Sequence, residues 1–548
     1  MGTTTSEDER FLSRRDLLVR AGIGGLALSV GGGLSSLLTA CTSGSSSTGQ
    51  KASSLKQLTV SFADSAPTLD IVSAFVGNIA TMMLLIHEPL VTYDNDLKLV
   101  PQLASAWSQP SKTSYLFTLR KGVTFWDGSG LTVEDVVYSL ARNTDPKFGS
   151  QLAGYFTNVK AVRASGTDGV IVDLIVADET FPYILSLAGI VKKSVAEPRG
   201  THYAEPGSPI VGTGPYVVDS FRANQSIELS RNDKYWGAKP VADSVSVKII
   251  PDETDRQLAM RSGSTIMCYD VSLSQTRQWS TVPKVTVPVA PGLEVSCLSF
   301  DLSQSPWNDI HVRRAVAYAW NDQFVKTVLG SSAEPAGAVV PPAMWSNLLD
   351  DSAVKSLYAT LPDLSFNLDH AKAELAQSSM PNGFSTHISV PTSKPNLQKA
   401  ALSLSENLAK IGIKLSVKQE VDQAWSAYQS AHQNLGLQLH STGPDYPDPA
   451  DYFGILMLGK NASKNNLNLA NYQNAQFDAL FAKQAGEPDK ATRARYLSEM
   501  LTMVSNDVAY LPLWWSGFAI AYRSDQMAYH HLTSLCYLQS WTSNITAP

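Results

Sequence analysis

Apolar residues alternate through Leu58, Val60 and Phe62, the period of a half-buried strand, and open the folded part of the chain. Ile79 to Ile86 is apolar but for Thr81 and predicts a helix, which Glu88-Pro89 breaks before extended structure resumes towards Tyr93. Residues 115–120 then read as a strand, followed by a glycine-containing turn and a helix. In that helix Thr132 is the expected N-cap with Asp135 three residues on, and Val136, Val137 and Leu140 form the buried stripe. Val312, Ala315, Val316 and Ala319 follow a second expected cap, Asp309. Leu397, Ala401, Leu404 and Leu408 mark a helix that feeds the alternating Ile413, Leu415 and Val417, and Leu497, Met500, Leu501 and Val504 mark a late helix. Strands and helices interleave without a fixed-period repeat, so the expected class is α/β. Between the last two patterns lies Gln438 to Phe453, where Asp445, Asp448 and Asp451 sit among three prolines. Proline fixes its own φ and restricts the residue before it, so this stretch is expected to be a stiff, turn-rich loop carrying three carboxylates.

The chain has 548 residues, too many for one core, so two or three domains are expected. A hydrophobic content of 44% with 17% charged residues is a globular balance, and a net charge of −6 argues against a large nucleic-acid footprint. The N-terminus is different in kind. Arg14 and Arg15 precede a glycine-interrupted apolar run from Ala21 to Leu38, and Leu38-Thr39-Ala40-Cys41 follows. The first pattern resembles a twin-arginine export signal and the second a bacterial lipobox, which together imply cleavage before Cys41 and acylation of its thiol. Residues 1–40 are then a signal peptide, and residues 41–54, rich in Ser, Thr and Gly, a flexible tether. Beyond Cys41 stand Cys268, Cys297 and Cys536, which allow one disulfide but neither a disulfide framework nor a Cys-x-x-Cys zinc site.

Several blocks agree, in order, with a known family. They include Leu99-Val100-Pro101-Gln102-Leu103-Ala104 with Trp107, then Phe117-Thr118-Leu119-Arg120-Lys121-Gly122-Val123 running on to Asp127-Gly128. Further on come Gly212-Thr213-Gly214-Pro215-Tyr216, Asn232 with Tyr235-Trp236, residues 308–316, residues 408–415 and Asn474 to Leu480. The pattern resembles the extracytoplasmic solute-binding proteins of the peptide/nickel ABC-transporter family, family 5, from about Leu58 to Leu513. The resemblance implies a two-lobed clamp of the periplasmic-binding-protein kind (type II, three-domain cluster C architecture). Residues 55–87, 205–300 and 512–548 are the expected first lobe, 88–204 an inserted domain, and 301–511 the second lobe. It implies a monomeric, lipid-anchored receptor without a cofactor. Such a receptor captures a solute, a peptide first and an oligosaccharide, nickel chelate or haem as alternatives. It delivers the solute to an ABC permease and its ATPase subunits. In peptide-binding members an Asp in a comparable segment receives the ligand's α-ammonium, and Asp445 takes that position, with Ser441-Thr442 standing where a Gly-Trp pair is usual. Tyr446, Trp425, Trp514 and Trp515 are the aromatic candidates for the same cleft, one of the adjacent tryptophans being expected to face it.

An exported cell-envelope hydrolase is the competing class. It needs a nucleophile beside a base, or a metal cluster, and no motif of either kind is recognisable. Gly207 to Gly214 has the outline of a phosphate loop, but Thr213 stands where the lysine is required. Neither a Gly-x-Ser-x-Gly nor a His-Glu-x-x-His segment occurs.

Overall fold

The computed structural model describes residues 55–75, 77–533, 535 and 539–548. Arg14, Arg15, Cys41 and the tether lie outside the described residues, as does Cys536. Among the described residues no helix is long and apolar enough to cross a membrane.

The expected alternation appears as the strand Leu58–Phe62, with Leu58, Val60 and Phe62 fully buried. It lies at the heart of a 10-stranded sheet. Along the sheet the order is Leu437–Thr442, Val289–Phe300, Tyr510–Arg523, Met267–Tyr269, Leu58–Phe62, Ser244–Ile249, Ser226–Arg231 and Tyr216–Arg222. Val285–Thr286 and Ala333–Pro335 pair additionally with Tyr510–Arg523. Leu58–Phe62 runs parallel to both of its neighbours, while the other pairings are antiparallel. A separate four-stranded antiparallel sheet is built from Ala104–Ser111, Ser114–Leu119, Gly169–Leu174 and Val159–Ser165. A third, parallel pair joins Ser385–Pro391 to Lys414–Glu420.

The helices start where their caps predict. Thr132 Oγ1 accepts from the Asp135 amide (3.2 Å) and Asp135 Oδ2 accepts from the Thr132 amide (3.0 Å), a reciprocal cap for Val133–Ala141. Asp309 accepts from the His311 amide (2.9 Å) at the head of Ile310–Tyr318. Pro395–Ala409 and Lys490–Asp507 cover the two later apolar patterns.

The stretch Gln438 to Phe453 departs from the expected loop. Leu437–Thr442 is a strand, residues 443–448 turn, and Pro449–Leu456 is a helix. Asp448 caps that helix by accepting from the Ala450 amide (2.9 Å), and Pro449 stands in its first turn. A proline there forfeits no intrahelical bond, because the first amides of a helix have no partner to lose.

One buried cluster joins Leu58–Phe62 and the Ala104–Leu174 sheet to the helices between Tyr446 and Val504. A second gathers Leu298, Val316, Leu397, Leu437 and Trp514 around Ile310–Tyr318 and Pro395–Ala409. Cys268 and Cys297 are both buried free thiols.

Candidate functional site

Val289–Phe300 and Tyr510–Arg523 are the two long strands of the main sheet, and their pairing is broken in the middle. Ala290 faces Phe518 and Glu294 faces Ser516, so Pro291, Gly292 and Leu293 bulge opposite Gly517. The backbones approach closely there: a Cβ on Gly292 would lie 2.4 Å from the Ser516 carbonyl oxygen, and one on Gly517 would lie 2.6 Å from that of Ala290. Only glycine fits both places. A bulge bends its strand and re-aims the residues beside it, and here it opens a cleft. A cavity of about 360 Å³ is bordered by Asp270, Leu293, Glu294, Gly443, Pro444 and Gly517, among others. A second, of about 470 Å³, reaches Ser393, Lys394, Asn396, Ser441 and Trp514. Asp270, Ser272, Leu273, Glu294 and Ser516 border both, so the two form one continuous cleft.

The acidic turn closes one end of this cleft, and its three carboxylates have different surroundings. Asp448 is fully buried and doubly paired with Arg493 (Nη1–Oδ2 and Nη2–Oδ1, both 2.7 Å), while Arg493 Nε also donates to Gln484 (3.0 Å). Asp451, also buried, accepts from the Asp445 amide through Oδ2 (2.7 Å), and burial together with the nearby Asp445 charge raises its pKa. Asp445 itself is partly buried and borders neither of the two cavities, although Gly443 and Pro444 before it do, and no described residue donates to its carboxylate. Burial pushes its pKa up, because a desolvated carboxylate without a donor is held more easily as the acid. The turn is pinned to the bulge by Tyr452, whose hydroxyl donates to the Thr442 carbonyl (3.0 Å) and to that of Leu293.

The other expected site residues are dispersed. Tyr446 is buried and stacked on Tyr183 (5.9 Å between centroids), which stacks in turn on Tyr93 (6.2 Å), so its ring braces the turn from behind. Trp514 borders the 470 Å³ cavity, its indole N–H donating to Ser516 (3.0 Å). Trp515 donates to the Ala338 carbonyl (2.9 Å) and borders a smaller recess beside Gly517. Trp425 lies on Asp422–Ala431, borders neither of the two cavities, and its buried Nε1 has no partner among the described residues. Sequence reasoning missed Asp270, Glu294 and Asn396. Asp270 follows the strand Met267–Tyr269 with φ of 68°, a conformation that Asp tolerates better than most residues, and no local motif announces it.

A Cys–His contact also exists that no sequence motif signalled. Cys297 Sγ lies 3.5 Å from His440 Nε2 across two paired strands. Both are buried; burial pushes the thiol up and lowers the imidazole to about 4. Thiolate and imidazolium are both disfavoured, which is the reverse of an activated nucleophile. Among the described residues, no group of three or more His, Cys, Asp or Glu side chains could hold a metal.

This architecture has known counterparts. The family described as bacterial extracellular solute-binding proteins, family 5, matches residues 98–464. Heme-binding protein A of Haemophilus influenzae is 26% identical over 451 residues, covering 76% of this chain and 79% of that protein. The dipeptide-binding protein of Escherichia coli is 26% identical over 446 residues, covering 75% and 80%. Among solved structures, the ABC transporter substrate-binding protein CtaP of Listeria monocytogenes superposes with a TM-score of 0.79 at 19% identity, over 90% of this chain and 99% of that one. The periplasmic binding protein DppA of Helicobacter pylori, in complex with the peptide STSA, gives 0.73 at 22% identity, over 90% and 98%. By sequence, order of elements and fold, the chain belongs to the bacterial extracellular solute-binding proteins, family 5.

Proposed function

We propose that the chain is the lipid-anchored receptor of an ABC importer, that it captures peptides by their α-ammonium at Asp445, and that it hands them to the permease. The observation that carries this reading is the contrast within the acidic turn. Asp448 has Arg493 and Asp451 has backbone amides, whereas no described residue donates to the carboxylate of Asp445, which follows the cleft-bordering Gly443 and Pro444 in the chain. A carboxylate kept without a partner is a standing cost to the fold unless a ligand's cation meets it. The turn beneath it is held by an ion pair, a tyrosine hydroxyl and a stacked ring, so little ordering entropy is left to lose on binding. A peptide ligand is also what several relatives are named for.

In this reading residues 55–87, 205–300 and 512–548 make one lobe, 301–511 the other, and 88–204 the inserted domain. The strands crossing at Gly292 and Gly517 are the hinge, and closure buries the solute. Cys41 carries the acyl anchor on the outer face of the cell membrane, each buried methylene contributing about 0.8 kcal/mol. The protein acts as a monomer without catalysis. The enzyme alternative gains nothing from the Cys297–His440 contact, whose two groups are buried and neutral.

Calorimetric titration of short peptides, free and N-acetylated, tests the capture. Free peptides are expected to bind and acetylated ones to lose about 100-fold or more. Equal affinity for both forms refutes capture through the amine and favours a neutral solute such as an oligosaccharide.

A further inference from the structure

The turn that carries Asp445 is held from two sides. From the main sheet, the Tyr452 hydroxyl fastens it to the carbonyls of Thr442 and Leu293. From the other side it meets residues 88–204, the stretch that carries the separate four-stranded sheet. None of residues 88–204 borders either of the two cavities, so this stretch acts on the cleft through the residues it touches.

Two of its contacts are specific to the turn. The Tyr446 ring, next to Asp445 in the chain, stacks on Tyr183 with centroids 5.9 Å apart and planes 23° from parallel. Tyr183 is itself stacked on Tyr93 (6.2 Å), whose hydroxyl donates to the Tyr183 carbonyl (3.3 Å). The second contact is a bridge. Asn347 Nδ2 donates to the Leu97 carbonyl (3.1 Å) and, at 3.5 Å, to the carbonyl of Pro447. Two carbonyl acceptors need both N–H groups of the amide, which fixes how the Asn347 side chain points. A backbone bond from the Glu179 amide to the Ala485 carbonyl (2.7 Å) closes the same seam further along.

Leu97 is an independent sign that this seam is built. Its φ is 61°, in the left-handed region that leucine enters at a cost and glycine enters freely. Its side chain is nonetheless buried, and its carbonyl is the one that Asn347 meets. A strained backbone persists where the surrounding contacts hold it in place. The seam is narrow all the same: among the described residues, the four-stranded sheet takes no strand from residues 301–511. A narrow seam that rests on one ring stack and one bridging amide is sensitive to single substitutions.

We propose that Tyr183 and Asn347 are positioning residues for capture: they hold Tyr446 and Pro447, the two residues after Asp445, so that the Asp445 carboxylate is placed to meet the solute's ammonium. This rests on Asp445 being the capture residue. Gly443 and Pro444 of the same turn border the cleft, so the anchoring of Tyr446 and Pro447 sets how the carboxylate between them is presented to it. The gain from a buried charge pair depends on good geometry, so a turn released from Tyr183 or Asn347 should hold an ammonium less well.

The test is a double-mutant cycle read by calorimetric titration of Ala-Ala-Ala and Ala-Phe-Ala. Tyr183→Leu and Asn347→Ala are each made in the wild type and in Asp445→Asn. Each is expected to weaken binding by about tenfold in the wild type and by about twofold or less once Asp445 is replaced. Tyr183→Phe keeps the ring and should restore the affinity that leucine loses. An equal loss in both backgrounds means that the two residues only support the fold, and overturns the positioning role. No loss in the wild-type background overturns it too, while capture by Asp445 stands. If Tyr183→Leu does not fold, the Asn347→Ala cycle decides alone. If Asp445→Asn binds both peptides as the wild type does, or the wild type binds neither, the capture reading falls and the positioning role with it.

Discussion

Replacing Asp445 by asparagine separates a ligand's counter-charge from a turn residue, because the two roles move stability in opposite directions. The side chain accepts no hydrogen bond from the described protein, whereas its own amide donates to Asp451 at 2.7 Å, a bond that the substitution keeps. The fold therefore loses no side-chain hydrogen bond from the described residues. Burial holds the Asp445 pKa above its unfolded value, so the native state binds its proton more tightly than the unfolded chain. The ionisation penalty is then absent below about pH 4, grows as pH rises through the folded pKa, and is complete by about pH 8. Each unit of that elevation is worth about 1.4 kcal/mol, so Asp445→Asn should stabilise the empty protein at about pH 8 by about 1 kcal/mol or more, and by nothing near pH 4. Peptide affinity moves the other way. An ammonium that loses its buried partner costs about 3–5 kcal/mol, which is a loss of more than about 100-fold. Calorimetric titration measures the affinity, and urea unfolding of the empty protein at the two pH values measures the stability. A variant that binds free peptides normally, or that is less stable than wild type at about pH 8, refutes the argument.

Arg493→Met should destabilise by about 3–5 kcal/mol, since it strands the fully buried Asp448; adding Asp448→Asn should recover much of that loss in a double-mutant cycle. Gly292→Ala drives a Cβ to 2.4 Å from the Ser516 carbonyl, so it should cost about 1–3 kcal/mol in urea unfolding. If the bulge is the hinge, it should also reduce the peptide-induced contraction seen by small-angle scattering. Peptide affinity of the wild type should fall as pH drops from about 8 to 5, by at most about tenfold per unit, because the Asp445 carboxylate that must ionise is raised by burial. Cys41→Ala should appear in the soluble fraction or keep its signal uncut, and Arg14→Lys with Arg15→Lys should block export; a processed, membrane-bound Cys41→Ala protein refutes the lipobox reading.

Most secondary structure was legible because its causes are local. Alternation in Leu58–Phe62, the Thr132–Asp135 cap and the stripe through Leu397, Ala401 and Leu404 each depend on residues within one or two turns. The helix Pro449–Leu456 was equally local, with Asp448 as its cap and Pro449 in its first turn, and the density of prolines hid it. The order of motif blocks reached further and identified the family.

What each acid of the turn does was not local. Asp445, Asp448 and Asp451 share one short stretch, yet Asp448 is neutralised by Arg493 and Asp451 is held by the backbone of Asp445, while no described residue donates to the Asp445 carboxylate. Tyr446, expected at the cleft, instead spends its ring on Tyr183. Asp270, Glu294 and Asn396 carry no common motif and border one cavity only because the sheet opens at the bulge opposite Gly517. The physical reason is one of range: backbone geometry is decided by near neighbours along the chain, whereas the charge state and availability of a carboxylate depend on donors and dielectric supplied by whatever folds against it.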